Sequence, residues 1–104
     1  MPSKYFITKL AERDIESAIK YIAETLHNQK AANDLFDKIE KAIENACFFP
    51  YAYSSSEYFF IHDLNVRHII IDNYVMFYEV KDDKIIVMRF LLAKIDFSKI
   101  TISE

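Results

Sequence analysis

Two periods of apolar spacing divide this chain into a helical half and a stranded half. At the start, Tyr5, Phe6 and Ile7 centre a short aromatic and β-branched run from Lys4 to Thr8, which predicts a strand. Thr8 then stands where a helix N-cap is needed. Ile15, Ile19, Ile22 and Leu26 follow at spacings of four, three and four, which mark one face of an amphipathic helix. Asp14, Ser17, Lys20 and Glu24 fall around its other side. His27-Asn28 ends that helix, and Asn28 can cap the next.

The second helix is expected from about Gln29 to about Cys47, with Ala32, Leu35, Phe36, Ile39, Ile43 and Ala46 as its apolar stripe. Asp34 with Lys38, and Asp37 with Lys41, are acid-before-base pairs four residues apart. Pro50 stops the helix. The short link makes the two helices antiparallel neighbours.

Tyr51 to Asp63 is irregular, with Ser54-Ser55-Ser56 its most loop-like part. Three strand-like runs follow: Val66 to Ile71, Tyr74 to Val80 and Ile85 to Leu92. Asp72-Asn73 and Asp82-Asp83 read as tight turns between them, with Asn73 tolerating the left-handed backbone that glycine would otherwise supply. Turns this short make an antiparallel meander. Asp96 to Glu104 is a polar tail with one helical turn expected around Phe97 to Ile100. The reading is a two-layer α+β domain: an N-terminal strand and an antiparallel two-helix hairpin packed on an antiparallel sheet with a C-terminal three-strand meander.

Composition narrows the function. A chain of 104 residues suits one domain, and 52% hydrophobic residues with 28% charged residues supports a core rather than disorder. Glycine is absent. That excludes a phosphate-cradling P-loop, a dinucleotide fingerprint and a hydrolase nucleophile elbow, each of which needs glycine where the backbone turns tightly or approaches a ligand. No small-molecule substrate or cofactor is expected. A net charge of −3 weighs against strong nucleic-acid binding, though a local basic patch can exist on an acidic chain. The single cysteine, Cys47, cannot form an intrachain disulfide and reads as a small buried apolar residue, with a reactive thiol as the sharper alternative. No apolar run is long enough to span a bilayer and no secretion signal is evident, so a cytoplasmic protein away from membranes is expected.

The order of these features resembles the RelE/ParE superfamily of bacterial toxins. The residues that carry the resemblance are Ala11 with Asp14-Ile15, Tyr21-Ile22, Ala31-Ala32, Leu35, Ile39, Ile43, Phe49-Pro50, Arg67, Asn73-Tyr74, Phe77-Tyr78, Arg89 and Asp96. The resemblance implies the toxin of a type II toxin–antitoxin pair, concerned with growth inhibition and plasmid stabilisation and neutralised by a cognate antitoxin. ParE-like members poison DNA gyrase; RelE-like members are metal-free endoribonucleases that cut mRNA on the ribosome. A non-toxic relative that survives as an antitoxin-binding scaffold is a further alternative. This chain departs from both patterns: Val75 follows Tyr74 where ribonuclease members usually carry a basic residue, and Leu92 and Ile95 stand where ParE-like relatives often carry His and Arg and where ribonuclease members tend to place groups that move protons or hold phosphate charge, while Arg89 and Asp96 of the ParE-like motif are kept. The motifs therefore favour ParE-like inhibition of gyrase.

Four residues stand as candidates for a catalytic or contact role: Arg67, Arg89, Lys94 and Tyr78. The three cations can hold a phosphate, and Tyr78, His62 or His68 can move a proton. Each has a structural alternative. Alternation places Arg67 on a strand face with Ile69 and Ile71, where it pairs with an acid such as Glu79 or Asp96 or reaches a target group. Arg89 is expected on one face with Val87 and Leu91, with the same ambiguity. Tyr74 and Tyr78 share a face with Met76 and read more simply as core. The three histidines lack metal-ligand spacing, so no metal site is expected. Tyr51, Tyr53, Tyr58, Phe59 and Phe60 can stack bases, but packing, or a groove that a partner covers, suits an acidic chain better.

Overall fold

A computed structural model of the chain describes residues 4–52 and 66–94. Strand β1 (Lys4–Ile7) leads into helix α1 (Lys9–Lys20), which continues as a π-helical turn over Tyr21–Thr25. Helix α2 (Gln29–Phe48) is followed by strands β2 (Val66–Ile71), β3 (Tyr74–Lys81) and β4 (Lys84–Leu92). Thr8 and Asn28 cap the helices as expected, accepting hydrogen bonds from the backbone N–H groups of Ala11 and Ala31. The succession of strand, helix, helix and three strands, and the α+β class, are those of the sequence reading; the π-helical turn is an addition to it.

The meander is antiparallel, β2 to β3 and β3 to β4, and the sheet order is β1-β4-β3-β2. Strand β1 lies parallel to β4, so the sheet is mixed at that edge. The intervening helices supply the crossover that a parallel pair requires. Tight turns are made without glycine: Asp82 and Asp83 both take positive φ between β3 and β4, and Asp72, not Asn73, does so between β2 and β3. His27 does the same where the π-helical turn ends. Short polar side chains carry the αL conformation at modest cost.

The helices cover one face of the sheet. Ala11, Ala18, Leu35, Ile39, Ile43 and Ala46 meet Ile69, Ile71, Met76, Tyr78, Val87 and Phe90 in one buried cluster. Each fully buried large apolar side chain stabilises the fold by roughly 1.5–3 kcal/mol. Tyr74 stacks on Phe90, ring centroids 4.8 Å apart. The opposite face is buried too, at Val66, Val75, Phe77, Met88 and Leu91.

Five expectations are corrected. Leu26 does not continue the α1 stripe; it is exposed, because the π-helical turn carries more residues per turn and rotates it off the face. Phe36 leaves the α2 stripe and is also exposed. Lys38 does not pair with Asp34 but reaches across to Asp72 at 2.9 Å, while Asp34 takes Lys30 at 3.1 Å. Asp14 is not on the polar side of its helix but is half-buried against β4. Arg89 does not share a face with Val87. A register irregularity pairs Phe77 with Arg89 but Tyr78 with Val87, so Met88 is an extra residue and the alternation of β4 reverses there. The serine run, the aromatic residues from Tyr53 to Phe60, His62, Ile95, Asp96 and the C-terminal tail lie outside the described residues.

Candidate functional site

Arg89 and Asp14 form the most completely built polar contact. Strand β1 ends at Ile7, which leaves the outer edge of β4 open beyond Val87. Thr8 and Asp14 close it. The Thr8 N–H donates to the Val87 carbonyl at 3.1 Å, and the Thr8 hydroxyl donates to the Met88 carbonyl at 3.2 Å. Asp14 then accepts from the Phe90 N–H at 3.1 Å, replacing the missing strand partner. The same carboxylate accepts from Arg89 through Nε at 2.7 Å and Nη2 at 3.1 Å, a two-pronged charge-assisted contact. The two side chains are only 12% and 15% exposed. Arg89 therefore clamps α1 to the sheet. In the sequence Asp14 reads as part of a polar helix face and of a family-like motif, and no spacing rule points to this role.

Tyr78 is fully buried, and its hydroxyl donates to the Pro50 carbonyl at 2.8 Å. That bond ties the end of α2 to the middle of β3. Arg67 lies on the helix-facing side of β2 opposite Tyr78, as alternation predicts, and Glu79 pairs with Val66 on the other face. The Arg67 guanidinium carbon sits 5.1 Å from the centroid of the Tyr51 ring, a cation–π stack. His68 faces away, opposite Phe77. Lys94 is exposed beyond the far end of β4, where Leu92 pairs with Tyr74. From Tyr78 to Tyr74 the strand rises about 13 Å. The structure thus brings Arg67 and Tyr78 together, sets Arg89 on the opposite face two strands away, and leaves Lys94 at another end. Among the described residues no three His, Cys, Asp or Glu side chains converge.

A second feature was not read from the sequence. Between the N-terminal half of α1, α2 from Phe36 onward, and β1, an apolar groove of about 590 Å³ opens. Ile7, Ile15, Ile39 and Ile43 floor it, and Tyr5, Phe36 and Phe48 stand on its walls. Those three aromatic residues are roughly half exposed, at 59%, 47% and 53%. Glu12 and Glu16 border it on α1, and Glu40 and Glu44 on α2. Each pair is spaced i, i+4, so both carboxylates of a pair share one helix face. All four are exposed, and among the described residues none is in an ion pair. Cys47 lies at the floor, its thiol pushed up first by desolvation and then by the neighbouring Glu44 charge. The repeated glutamates were visible in the sequence, but their convergence depends on how the helices cross.

The sequence matches the family described as the ParE toxin of the type II toxin–antitoxin system parDE, over residues 5–97. The chain belongs to the ParE toxin family. Among solved structures it is similar to a chain of the chromosomal ParDE toxin–antitoxin system of P. aeruginosa, with a TM-score of 0.70 and 16% identity over 86% of this chain and 95% of that one. It is also similar to a chain of the toxin–antitoxin complex RelBE2 of Mycobacterium tuberculosis, with a TM-score of 0.58 and 15% identity over 88% and 99%. At such identities these likenesses concern the fold. A search of curated proteins by sequence finds no match. Within the ParE family and the wider RelE/ParE superfamily, the chain is a type II toxin by descent. No helix among the described residues is long and apolar enough to cross a membrane.

Proposed function

We propose that this ParE-family chain acts by binding a macromolecule, with DNA gyrase as the target, and that a co-expressed antitoxin holds it inactive. Supporting the second half, both structural relatives come from toxin–antitoxin assemblies. The observation that carries the first half is how the candidate residues are employed. The Arg89 side chain is bound by Asp14, and the Tyr78 hydroxyl is buried on the Pro50 carbonyl. Cleavage of RNA by 2′-hydroxyl attack needs a base, a group for the phosphate charge and an acid, all within reach of one phosphodiester. Arg67, stacked on Tyr51, and Lys94 lie at separate ends of the sheet, which sets them apart from a single phosphodiester. A net charge of −3 supplies little general attraction to a ribosomal site.

The test follows the order of events after induction. DNA replication is expected to stop, or a DNA-damage response to start, before translation falls, and purified chain is expected to inhibit gyrase supercoiling. Arg67→Ala should weaken growth arrest while the fold and antitoxin binding persist. New mRNA ends at fixed positions within codons, appearing within minutes of induction, would replace this reading with the ribosome-dependent endoribonuclease.

A further inference from the structure

We propose that the outer edge of β2, with the flank of α2 beside it, is a two-fold interface between two copies of this chain. The sheet order gives β2 the strand β3 on one side and, among the described residues, no strand on the other. A two-residue hairpin closes on a hydrogen-bonded pair, here Ile71 with Tyr74. Backbone groups then alternate along β2. Those of Ile71, Ile69 and Arg67 go to β3, and the residues between, Val66 and Ile70 among them, turn theirs outward. Such a row is a template for a further strand, and proteins commonly blunt it with Lys, Pro or a bulge. Strand β2 reads Val-Arg-His-Ile-Ile-Ile, with neither Lys nor Pro, in unbroken register with β3. Its one permanent charge, Arg67, is stacked on Tyr51. Ile70 is 68% exposed, the most exposed large apolar side chain among the described residues. The other edge differs: β1 has four residues and begins with Lys4.

The flank of α2 decides what seats there. A groove of about 430 Å³ runs beside the edge, between Ile69, Ile70 and Ile71 on β2 and Asp37, Lys38 and Lys41 on α2. Lys38 is held by Asp72 at 2.9 Å. Asp37 and Lys41, one turn apart, are exposed and in no ion pair among the described residues, although their spacing suits one. A two-fold axis normal to the sheet sets β2 antiparallel to its copy and α2 antiparallel to its copy, with both helices on the same side. Asp37 of each copy then lies toward Lys41 of the other, so one surface carries both halves of two ion pairs. That self-complementarity is what a two-fold contact requires. An unrelated extended segment adds a strand but leaves Asp37 and Lys41 unmatched. In the joined sheet β1, and the groove above it, stand at the two far ends, clear of the contact. The inference goes beyond the toxin reading and is independent of the target.

Sedimentation velocity on the full chain should show a monomer–dimer equilibrium in the micromolar range, the weak class that a small interface gives. Ile70→Lys puts a charge where the added strand lies and should weaken dimerisation by at least about tenfold, with circular dichroism unchanged. Asp37→Lys and Lys41→Asp each set like charges against one another across the contact and should weaken it several-fold at low salt. Mixed together, these two single variants meet as opposite charges and should dimerise again. Mixing leaves each chain's own helix as it was, so the rescue reads the contact alone. Amide exchange should slow at β2 as the chain is concentrated, while β1 stays unchanged. A chain that remains monomeric at millimolar concentration, a dimer indifferent to Ile70→Lys, or single variants that fail to pair on mixing would overturn the assignment. Concentration-dependent protection at α1 and β1 in place of β2 would also overturn it, by placing the second copy in the other groove.

Discussion

Three acids on α1, at positions 12, 14 and 16, meet opposite fates on the two sides of one helix. Asp14 faces β4, where the strand edge presents an unmatched Phe90 N–H and Arg89 presents a guanidinium. Its short side chain reaches both, and the contact is nearly closed to solvent. Glu12 and Glu16 face the groove, where α2 offers only Glu40 and Glu44. One side of the helix is complete within the chain; the other is acidic, apolar and open. The difference lies not in residue type but in what the neighbouring element offers. A carboxylate beside vacant donors becomes part of the fold, whereas one beside other carboxylates stays exposed and outside any ion pair among the described residues.

Asp14→Ala removes the acceptor while leaving Arg89 mostly buried, and the loss of one partner of a buried pair costs about 3–5 kcal/mol. Chemical denaturation should show that loss, and adding Arg89→Met to it should restore part of it. A midpoint unchanged by Asp14→Ala would mean the clamp contributes nothing. Ile39 sits between the two sides, 3% exposed in the core and at the groove floor. Ile39→Ala should cost roughly 2–5 kcal/mol, read from the same denaturation curves.

The smallest effect sharpens the open side. Burial first, and then Glu44, holds the Cys47 pKa above its ordinary value. Folding thus favours the protonated thiol; that contribution is complete below the ordinary thiol pKa and is lost as pH rises through the raised one. Glu44→Gln removes only the second cause, so the pH profile of Cys47 alkylation should move modestly toward lower pH, with no measurable change in stability. An unmoved profile would show that the groove charges do not reach the floor.

Much of the fold was legible because local rules suffice for it. Thr8 and Asn28 cap because their side chains accept from N–H groups three residues on, a short-range geometry. The meander follows from short turns, and Arg67 lands on its expected face because β2 keeps strict alternation. Arg89 was misplaced because β4 carries an extra residue at Met88, and nothing in a run of Val87-Met88-Arg89-Phe90 marks where alternation reverses. Periodicity puts Phe36 and Leu26 on apolar stripes because it counts hydrophobicity but neither the groove on which Phe36 stands nor the π-helical turn before Leu26. The candidate contact residues were visible as residue types. Their partners, Asp14, Pro50 and Tyr51, were not, since those contacts join positions 75, 28 and 16 residues apart.

By itself, the sequence determined the element order, both helix caps, the two-layer architecture and, through the succession of motifs, the superfamily. Those depend on spacing within a few residues and on the succession of motifs, and both can be read along a line. Tertiary structure alone decided that β1 joins β4 in parallel and that Asp14 completes the edge β1 abandons. It also decided that two separate glutamate pairs converge on one groove. The physical reason is that charge acts through space: Glu12 and Glu44 lie far apart along the chain, and only the crossing of α1 and α2 makes them borders of the same surface.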